Sequence, residues 1–168
     1  MRTALLGLLF STSFAQDYTI LPTDDADLRE LAPAAVSNYG NIEVYGSATD
    51  PKVAILKFDT SSLVSASTVV TSASLELYAD TVQNGGGTYE VYQTSGVESW
   101  DETTVTWSNG PTRSTKITDV SITAAGQYYL IDVTSYVAAR VAASASSVTI
   151  WVRQPASELT HFALATAC

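Results

Sequence analysis

Reactive side chains are scarce in this chain. Its 168 residues include one cysteine, Cys168, and one histidine, His161. A single cysteine cannot form an intrachain disulfide, and one histidine with a terminal thiol cannot complete a zinc site. The sequence also lacks a Gly-x-Ser-x-Gly nucleophile motif. We therefore expect no enzymatic activity, although paired carboxylates for glycoside hydrolysis are recognised by distance and not by sequence.

Basic residues are also few. The sequence has 8 Lys and Arg against 17 Asp and Glu, which gives a net charge of −9. Such a charge repels nucleic acid and anionic membranes, so we expect neither as a partner. It also disfavours anionic polysaccharides, unless cations or a local basic patch intervene.

No apolar run is long enough to cross a bilayer, which takes about 20 residues. The apolar run 4–10 follows Arg2 and precedes the small residues Ser13 and Ala15. This pattern predicts a signal peptide over residues 1–15, cleaved after Ala15, and hence a secreted, extracellular or cell-surface protein. A buried N-terminal strand is the alternative for this segment. Cleavage would leave 7 basic and 17 acidic residues, a net charge of −10.

The remaining composition favours β-structure. Apolar residues make up 46% of the chain and charged residues only 15%, and the nine tyrosines outnumber the four phenylalanines. This balance is typical of a β-sandwich, not of a helical bundle. We see no linker or internal repeat, so residues 16–168 are predicted to form a single domain.

Hydrophobic patterns in the sequence predict where the strands lie. Residues 52–59 are almost continuously apolar, which predicts a central strand buried on both faces. Residues 74–80 alternate, which places Leu75, Leu77 and Ala79 on one face. The remaining patterns predict ten to eleven short strands, spaced as in a sandwich or barrel.

Shorter elements follow from local signals. The Asn-Gly-Gly-Gly run 84–87 predicts a turn, and a second turn is expected at 22–25. One short helix is expected from Thr134 or Ser135 to about residue 143. Residues 104–107 are expected to form a short strand.

Several motifs occur in a specific order. They are residues 26–27 with 37–40 (SNYG), 54–59 (AILKFD), 70–78 (VTSASLELY), 100–107 (WDETTVTW) and 131–137 (IDVTSYV). Together they resemble the DNRLRE domain family, also called carbohydrate-binding module family 96. The resemblance implies an all-β, jelly-roll-like antiparallel β-sandwich that binds a polysaccharide, with alginate and related polyuronates among the implied ligands. The family's terminal Phe-x-Ser-Arg-Glu strand is replaced here by residues 162–166 without the charged pair.

Aromatic and arginine side chains are the candidate sugar contacts. Aromatic faces stack on the apolar faces of sugar rings, and arginine binds a carboxylate through two parallel hydrogen bonds. The candidates for ligand binding are Arg29, Tyr39, Tyr92, Trp100, Arg113 and Tyr128. Burial in the core is the stronger expectation for Trp100 and Trp107, because each can bury a large apolar area. Tyr128 and Tyr129 are adjacent on a strand, so they should point to opposite faces.

Six basic residues are candidate anchors for uronate carboxylates. They are Arg29, Lys52, Arg113, Lys116, Arg140 and Arg153. Each one alone is typical of a solvated surface charge. If three of them converge on one face of a sheet, the polyuronate hypothesis is favoured.

Four aspartates form a candidate calcium site. Asp24, Asp25 and Asp27 are close in sequence, and Asp59 follows a strand. Calcium takes six to eight oxygen ligands, several of them carboxylates. A structural Ca²⁺ is therefore a hypothesis. The spacing does not match an EF-hand, and a solvated acidic turn is the stronger explanation.

Two functions are compatible with these features. The first is a secreted, non-catalytic domain that binds an extracellular polysaccharide. The second is a structural subunit of a cell wall, sheath or extracellular filament, in which Cys168 supports self-association through a disulfide. The chain is also compatible with being a fragment of a longer polypeptide.

Overall fold

A computed structural model describes residues 8–12, 17–37, 41–66, 68–95, 98–155 and 161–165. The strands are β1 (Leu8–Thr12), β2 (Asp17–Ile20), β3 (Pro22–Arg29), β4 (Asn41–Tyr45), β5 (Lys52–Asp59), β6 (Val70–Val82), β7 (Gly87–Ser95), β8 (Thr112–Ile122), β9 (Gln127–Asp132), β10 (Ser147–Arg153) and β11 (His161–Ala165). The helices are α1 (Ser61–Ser65) and α2 (Thr134–Ala142). No helix within these ranges has the length and apolar character needed to span a membrane.

The strand pairings among the described residues are all antiparallel. The strands are hydrogen-bonded in the order β2-β1-β6-β11-β4-β5-β10-β7-β8, and β3 pairs with β5 and β9 with β6. This arrangement confirms the all-β sandwich expected from the sequence.

The predicted helix is present as α2, and the sequence patterns did not predict the second helix, α1. Its first turn forms because Asp59 accepts a hydrogen bond from Ser61 N at 2.8 Å and Thr60 O accepts one from Leu63 N at 3.0 Å. Leu63 is fully buried and anchors the helix in the core.

Two apolar clusters stabilise the fold on opposite faces of β5 and β10. The larger cluster includes Leu56 and Phe58 of β5 with Leu75 and Leu77 of β6. The smaller cluster comprises Ala26, Leu28, Val53, Ile55, Trp100, Val105 and Trp151. Because β5 contributes to both clusters, it is buried on both faces, as its continuous apolar sequence predicts. A cleft lined by Val53, Trp107 and Trp151 lies over the smaller cluster.

The alternation in β6 is also confirmed. Leu75, Leu77 and Ala79 are buried, whereas Glu76 and Tyr78 are partly exposed. The predicted turn at 84–87 follows, and Gly86 has φ +73°. A Cβ atom at this position would lie 1.9 Å from Ile122 O, so the close approach of β8 requires glycine.

Two local expectations are wrong. Residues 22–25 form the start of β3 instead of a turn, because they pair with β5, as in the register Asp25↔Leu56. Residues 104–107 do not form a strand. Asp101 O accepts from Val105 N at 2.9 Å and Asn109 Oδ1 accepts from Thr106 N at 2.6 Å, which folds this segment into turns.

The segment predicted as a leader contains β1. The backbone of β1 pairs with both β2 and β6, for example in the registers Leu8↔Ile20 and Leu8↔Leu75. This pairing describes the uncleaved chain, so cleavage after Ala15 stays a prediction.

Candidate functional site

A cleft of about 490 Å³ lies where three connecting segments meet the end of β10. Its walls come from residues 30–31 after β3, 45–51 at the end of β4 and beyond, and 107–113 before and into β8. Val53 of β5 also lines the cleft, and Trp151 and Arg153 of β10, followed by Gln154, complete the lining. Connecting segments held on a rigid sheet are where proteins most often place binding residues.

Two tryptophans form one side of the cleft. The rings of Trp107 and Trp151 meet edge to face, with centroids 5.5 Å apart. Trp151 is only 5% exposed, and its Nε1 donates a hydrogen bond to Pro111 O at 3.1 Å. Trp107 is half-buried and packs against the smaller apolar cluster. Trp151 therefore fixes the position of the ring that Trp107 presents to the cleft.

The turn that holds Trp107 is built by side chains as well as by backbone. Asn109 Nδ2 donates to Thr104 O at 3.2 Å, and Gly110 N donates to Thr106 O at 2.9 Å. A Cβ atom at Gly110 would lie 2.9 Å from Thr106 O and would force the turn to open. The segment 104–110 therefore gives Trp107 a defined orientation.

Three basic side chains converge beside the cleft. Arg153 Nε lies 3.4 Å from Glu90 Oε2 and Lys116 Nζ lies 3.6 Å from Glu90 Oε1. The Arg113 guanidinium lies 4.9 Å from the centroid of the Tyr92 ring. Arg113 forms no ion pair with a carboxylate in the described part of the chain, so its charge is available to a ligand. The clustering that favours a polyuronate ligand is thus present on the β7, β8 and β10 face.

Tyr92 links these cations. It pairs in register with Trp151 on one side and Lys116 on the other, and its hydroxyl donates to Glu90 Oε2 at 3.1 Å. Desolvation, followed by the hydrogen bond to Glu90, raises the pKa of the Tyr92 phenol. The ring therefore stays neutral and supports Arg113 from below.

Gln154 contributes an uncharged polar side chain to the cleft. Gln154 is 4% exposed, and its Oε1 accepts a hydrogen bond from Gly46 N at 2.9 Å. Ser47 Oγ accepts from Thr49 N at 3.1 Å and from Asp50 N at 3.3 Å, which fixes the neighbouring loop. The Gln154 amide can donate and accept hydrogen bonds but carries no charge.

A comparison with known protein families identifies the family of this chain. The model of carbohydrate-binding module family 96 matches residues 16–167, nearly the whole chain. The chain belongs to carbohydrate-binding module family 96. A comparison with curated proteins finds no match. Modules of this kind bind carbohydrate and are generally non-catalytic.

Of the six predicted ligand residues of this family 96 module, Arg113 lines the cleft, and Tyr92 contacts Arg113 through its ring but does not line the cleft. Trp100 is 6% exposed and belongs to the core, where its Nε1 donates to Thr149 Oγ1 at 3.0 Å. Arg29 lies on β3 and does not line the cleft. Tyr39 lies outside the described residues.

Tyr128 lies on a different part of the sandwich. It is 44% exposed on β9, which pairs with β6, and its ring centroid is 5.0 Å from that of Tyr78. Tyr129 packs against the larger cluster, so the two neighbours point to opposite faces as expected. Tyr128 therefore cannot share a ligand ring with Trp107.

Three of the four aspartates of the family 96 module have separate partners. Asp24 pairs with Lys57, and Asp27 accepts from Ser37 Oγ at 2.7 Å. Asp59 accepts from Ser61, which lowers the pKa of its carboxyl. Across the described residues, no three His, Cys, Asp or Glu side chains are grouped to hold a metal ion. The calcium site stays a prediction.

Asp25 has the most perturbed environment of the four. Burial, followed by the charges of Glu102 and Asp24, raises the pKa of its carboxyl to about 6. Burial also raises the pKa of Asp27. Both groups lie on β3, and the Asp25 amide N donates to Glu102 Oε2 in the segment that leads to Trp107.

Sequence reasoning missed Trp151 and Gln154 as parts of the site. Trp151 and Arg153 are two residues apart on β10, so they share one face of the sheet, and Trp151 pairs in register with Tyr92. This alternation was visible in the sequence and could have indicated an aromatic and a basic residue on one face. Nothing in the sequence indicates that Gln154 is buried.

Proposed function

We propose that this module is secreted and holds an extracellular polysaccharide without transforming it. The observation that supports this proposal is the Trp107 ring, which is fixed by Trp151 and lines a cleft that also contains Arg113 and Arg153. An aromatic face and neighbouring hydrogen-bond donors are the complementary partners of a sugar ring and its polar substituents.

Polyuronates such as alginate are the ligands we propose. Arg113, Lys116 and Arg153 lie together on a chain whose net charge is −9. Asp119 and Glu90 pair with Lys116, and Glu90 with Arg153, whereas Arg113 has no carboxylate partner among the described residues. Arginine can bind a carboxylate through two parallel hydrogen bonds, so Arg113 suits the uronate group of a ring stacked on Trp107. A neutral glycan would offer no carboxylate to pair with the Arg113 guanidinium.

Affinity electrophoresis against alginate, pectin, xylan and chitin, with calcium and with a chelator, tests the proposal. We expect retardation by alginate or pectin, and a loss of about 30-fold in affinity for Trp107→Ala, since truncating a central aromatic anchor typically costs about 2 kcal/mol. Tyr128→Ala is the matched control, because it removes an exposed aromatic ring from another face. If no glycan retards the wild-type protein under either condition, the proposal fails.

The chelator arm also addresses calcium. If Asp24, Asp25, Asp27 or Asp59 helps to bind a structural Ca²⁺, the midpoint of thermal unfolding should rise when calcium is added. Secretion is tested separately, by sequencing the N-terminus of the exported protein. We expect Gln16 as its first residue, which is also where the family match begins.

A further inference from the structure

The two ends of the cleft carry opposite charges. Three of the residues that line it are ionised at neutral pH, namely Glu30, Arg113 and Arg153. Glu30 directly follows β3, whereas Arg153 lies on β10 and Arg113 on β8. The strands beneath the cleft are ordered β3-β5-β10-β7-β8. Because neighbouring strands are about 4.8 Å apart, β3 lies roughly 10 Å from β10 and roughly 19 Å from β8 along the sheet. The acidic residue therefore stands at one end of the cleft, and the arginines stand towards the other.

The charge of Glu30 is not neutralised by the residues around it. Glu30 is exposed, and it forms no ion pair within the ranges that the structure describes. Its basic neighbours in the sheet, Arg29 and Lys52, do not line the cleft, and their charges act on Asp27. Lys52 also pairs with Glu43. A ligand in the cleft therefore meets an uncompensated negative charge at the β3 end.

We infer that Glu30 is a specificity-determining residue, which keeps carboxylates out of the β3 end of the cleft. The module then selects uronate chains whose charged rings are interrupted by uncharged ones, such as partially methyl-esterified pectin. Chains with a carboxylate on every ring, such as alginate or polygalacturonate, bind less tightly. The inference rests on the proposed function and names the substrate class within the acidic polysaccharides.

Repulsion and attraction both contribute to this selection. Arg113 has no carboxylate partner among the described residues, so one uronate group of the ligand is bound at its end of the cleft. The charge of Glu30 acts over about 10 Å at 0.1 M ionic strength, so it repels a second carboxylate without touching it. An uncharged ring in that place offers hydroxyl groups, which can donate charge-assisted hydrogen bonds to Glu30. Specific binding sites commonly combine such attractive and repulsive elements.

Glu30→Gln tests the inference, because it keeps the size of the side chain and removes its charge. The ligands are polygalacturonate and the same polymer after partial methyl esterification, titrated by isothermal titration calorimetry at low ionic strength. We expect the wild type to bind the partially esterified polymer more tightly. In Glu30→Gln the affinity for polygalacturonate should rise about threefold or more, since one like-charge repulsion is removed, and the affinity for the esterified polymer should not rise.

Asp80→Asn is the matched control. It also removes one negative charge from an exposed position, but on β6 and away from the cleft, so it should leave the preference between the two polymers unchanged. Equal gains in polygalacturonate affinity for the two variants, or an undiminished preference in Glu30→Gln, would overturn the inference and leave the proposed function intact. Failure of the wild type to bind any glycan would overturn both.

Discussion

The surroundings of Asp25 predict how the free energy of unfolding depends on pH, in both direction and size. Its amide N donates to Glu102 Oε2 at 3.4 Å, and Glu102 N donates to Asp24 Oδ1 at 3.4 Å, so two further carboxylates are held next to its own. Burial and these two charges raise the pKa of Asp25 from 3.8 to about 6. The folded protein therefore binds a proton more tightly than the unfolded chain, and ionised Asp25 destabilises the fold.

The direction of the pH dependence follows from this difference. Above about pH 7 the carboxyl is ionised in both states, and the full penalty is present. As the pH falls through 6 the folded state takes up a proton that the unfolded chain does not yet bind, so the free energy of unfolding rises. Each unit of difference between the folded-state and unfolded-state pKa changes the free energy of unfolding by about 1.4 kcal/mol. Partial exposure of Asp25 screens the effect, so we expect a gain of about 1 kcal/mol between pH 8 and pH 5.

Asp25→Asn should remove this contribution. We expect the variant to be about 1–2 kcal/mol more stable than the wild type at pH 8 and the difference to shrink at pH 5. Urea unfolding followed by tryptophan fluorescence measures both values, and comparing the two proteins cancels the titration of their common groups. A difference that is absent at pH 8, or that grows towards pH 5, would refute the reasoning.

The control is Asp101→Asn, which should change the free energy of unfolding at pH 8 in the opposite direction. Asp101 is exposed, and hydrogen bonds from the Thr103 hydroxyl and amide lower the pKa of its carboxyl. Replacing this carboxylate should weaken the turn at pH 8, where Asp25→Asn strengthens the fold. Substitutions at these two aspartates should therefore shift the free energy of unfolding in opposite directions in the same urea assay.

Two further substitutions test the fold. Thr149→Val removes the acceptor of Trp100 Nε1 and should lower the free energy of unfolding by about 1–3 kcal/mol; a loss below about 0.5 kcal/mol in urea unfolding would contradict this role. Gly86→Ala should destabilise the protein more than Gly85→Ala, because only the first places a Cβ atom against Ile122 O. Equal midpoints of thermal unfolding for the two variants would show that the clash is relieved elsewhere.

The strands with a clear apolar pattern could be predicted from the sequence. In β5 and β6 the local pattern and the final burial agree, because one strand lies between two clusters and the other faces one. Residues 22–25 looked like a turn because of Pro22 and three neighbouring aspartate or threonine residues. Pairing with β5 overrides that local preference, which only the tertiary structure supplies.

The cleft could not be predicted, because its residues are distant in sequence. Trp107, Trp151 and Tyr45 meet only after β4, β8 and β10 have taken their places in the sheet. The segment 100–107 identifies the family, but its two tryptophans serve different purposes. Trp100 is in the core and Trp107 is at the cleft, a difference decided by the turn between them.

The walls of the cleft and the apolar clusters are built from largely separate parts of the chain. Most wall residues are in connecting segments, whereas β5 and β10 hold the clusters together beneath them. Substitutions at positions such as Arg113 or Glu30 can then alter ligand choice at little cost in stability. Related modules can diverge in the glycan they recognise and still keep one scaffold, so ligand specificity should be compared loop by loop and not inferred from overall similarity.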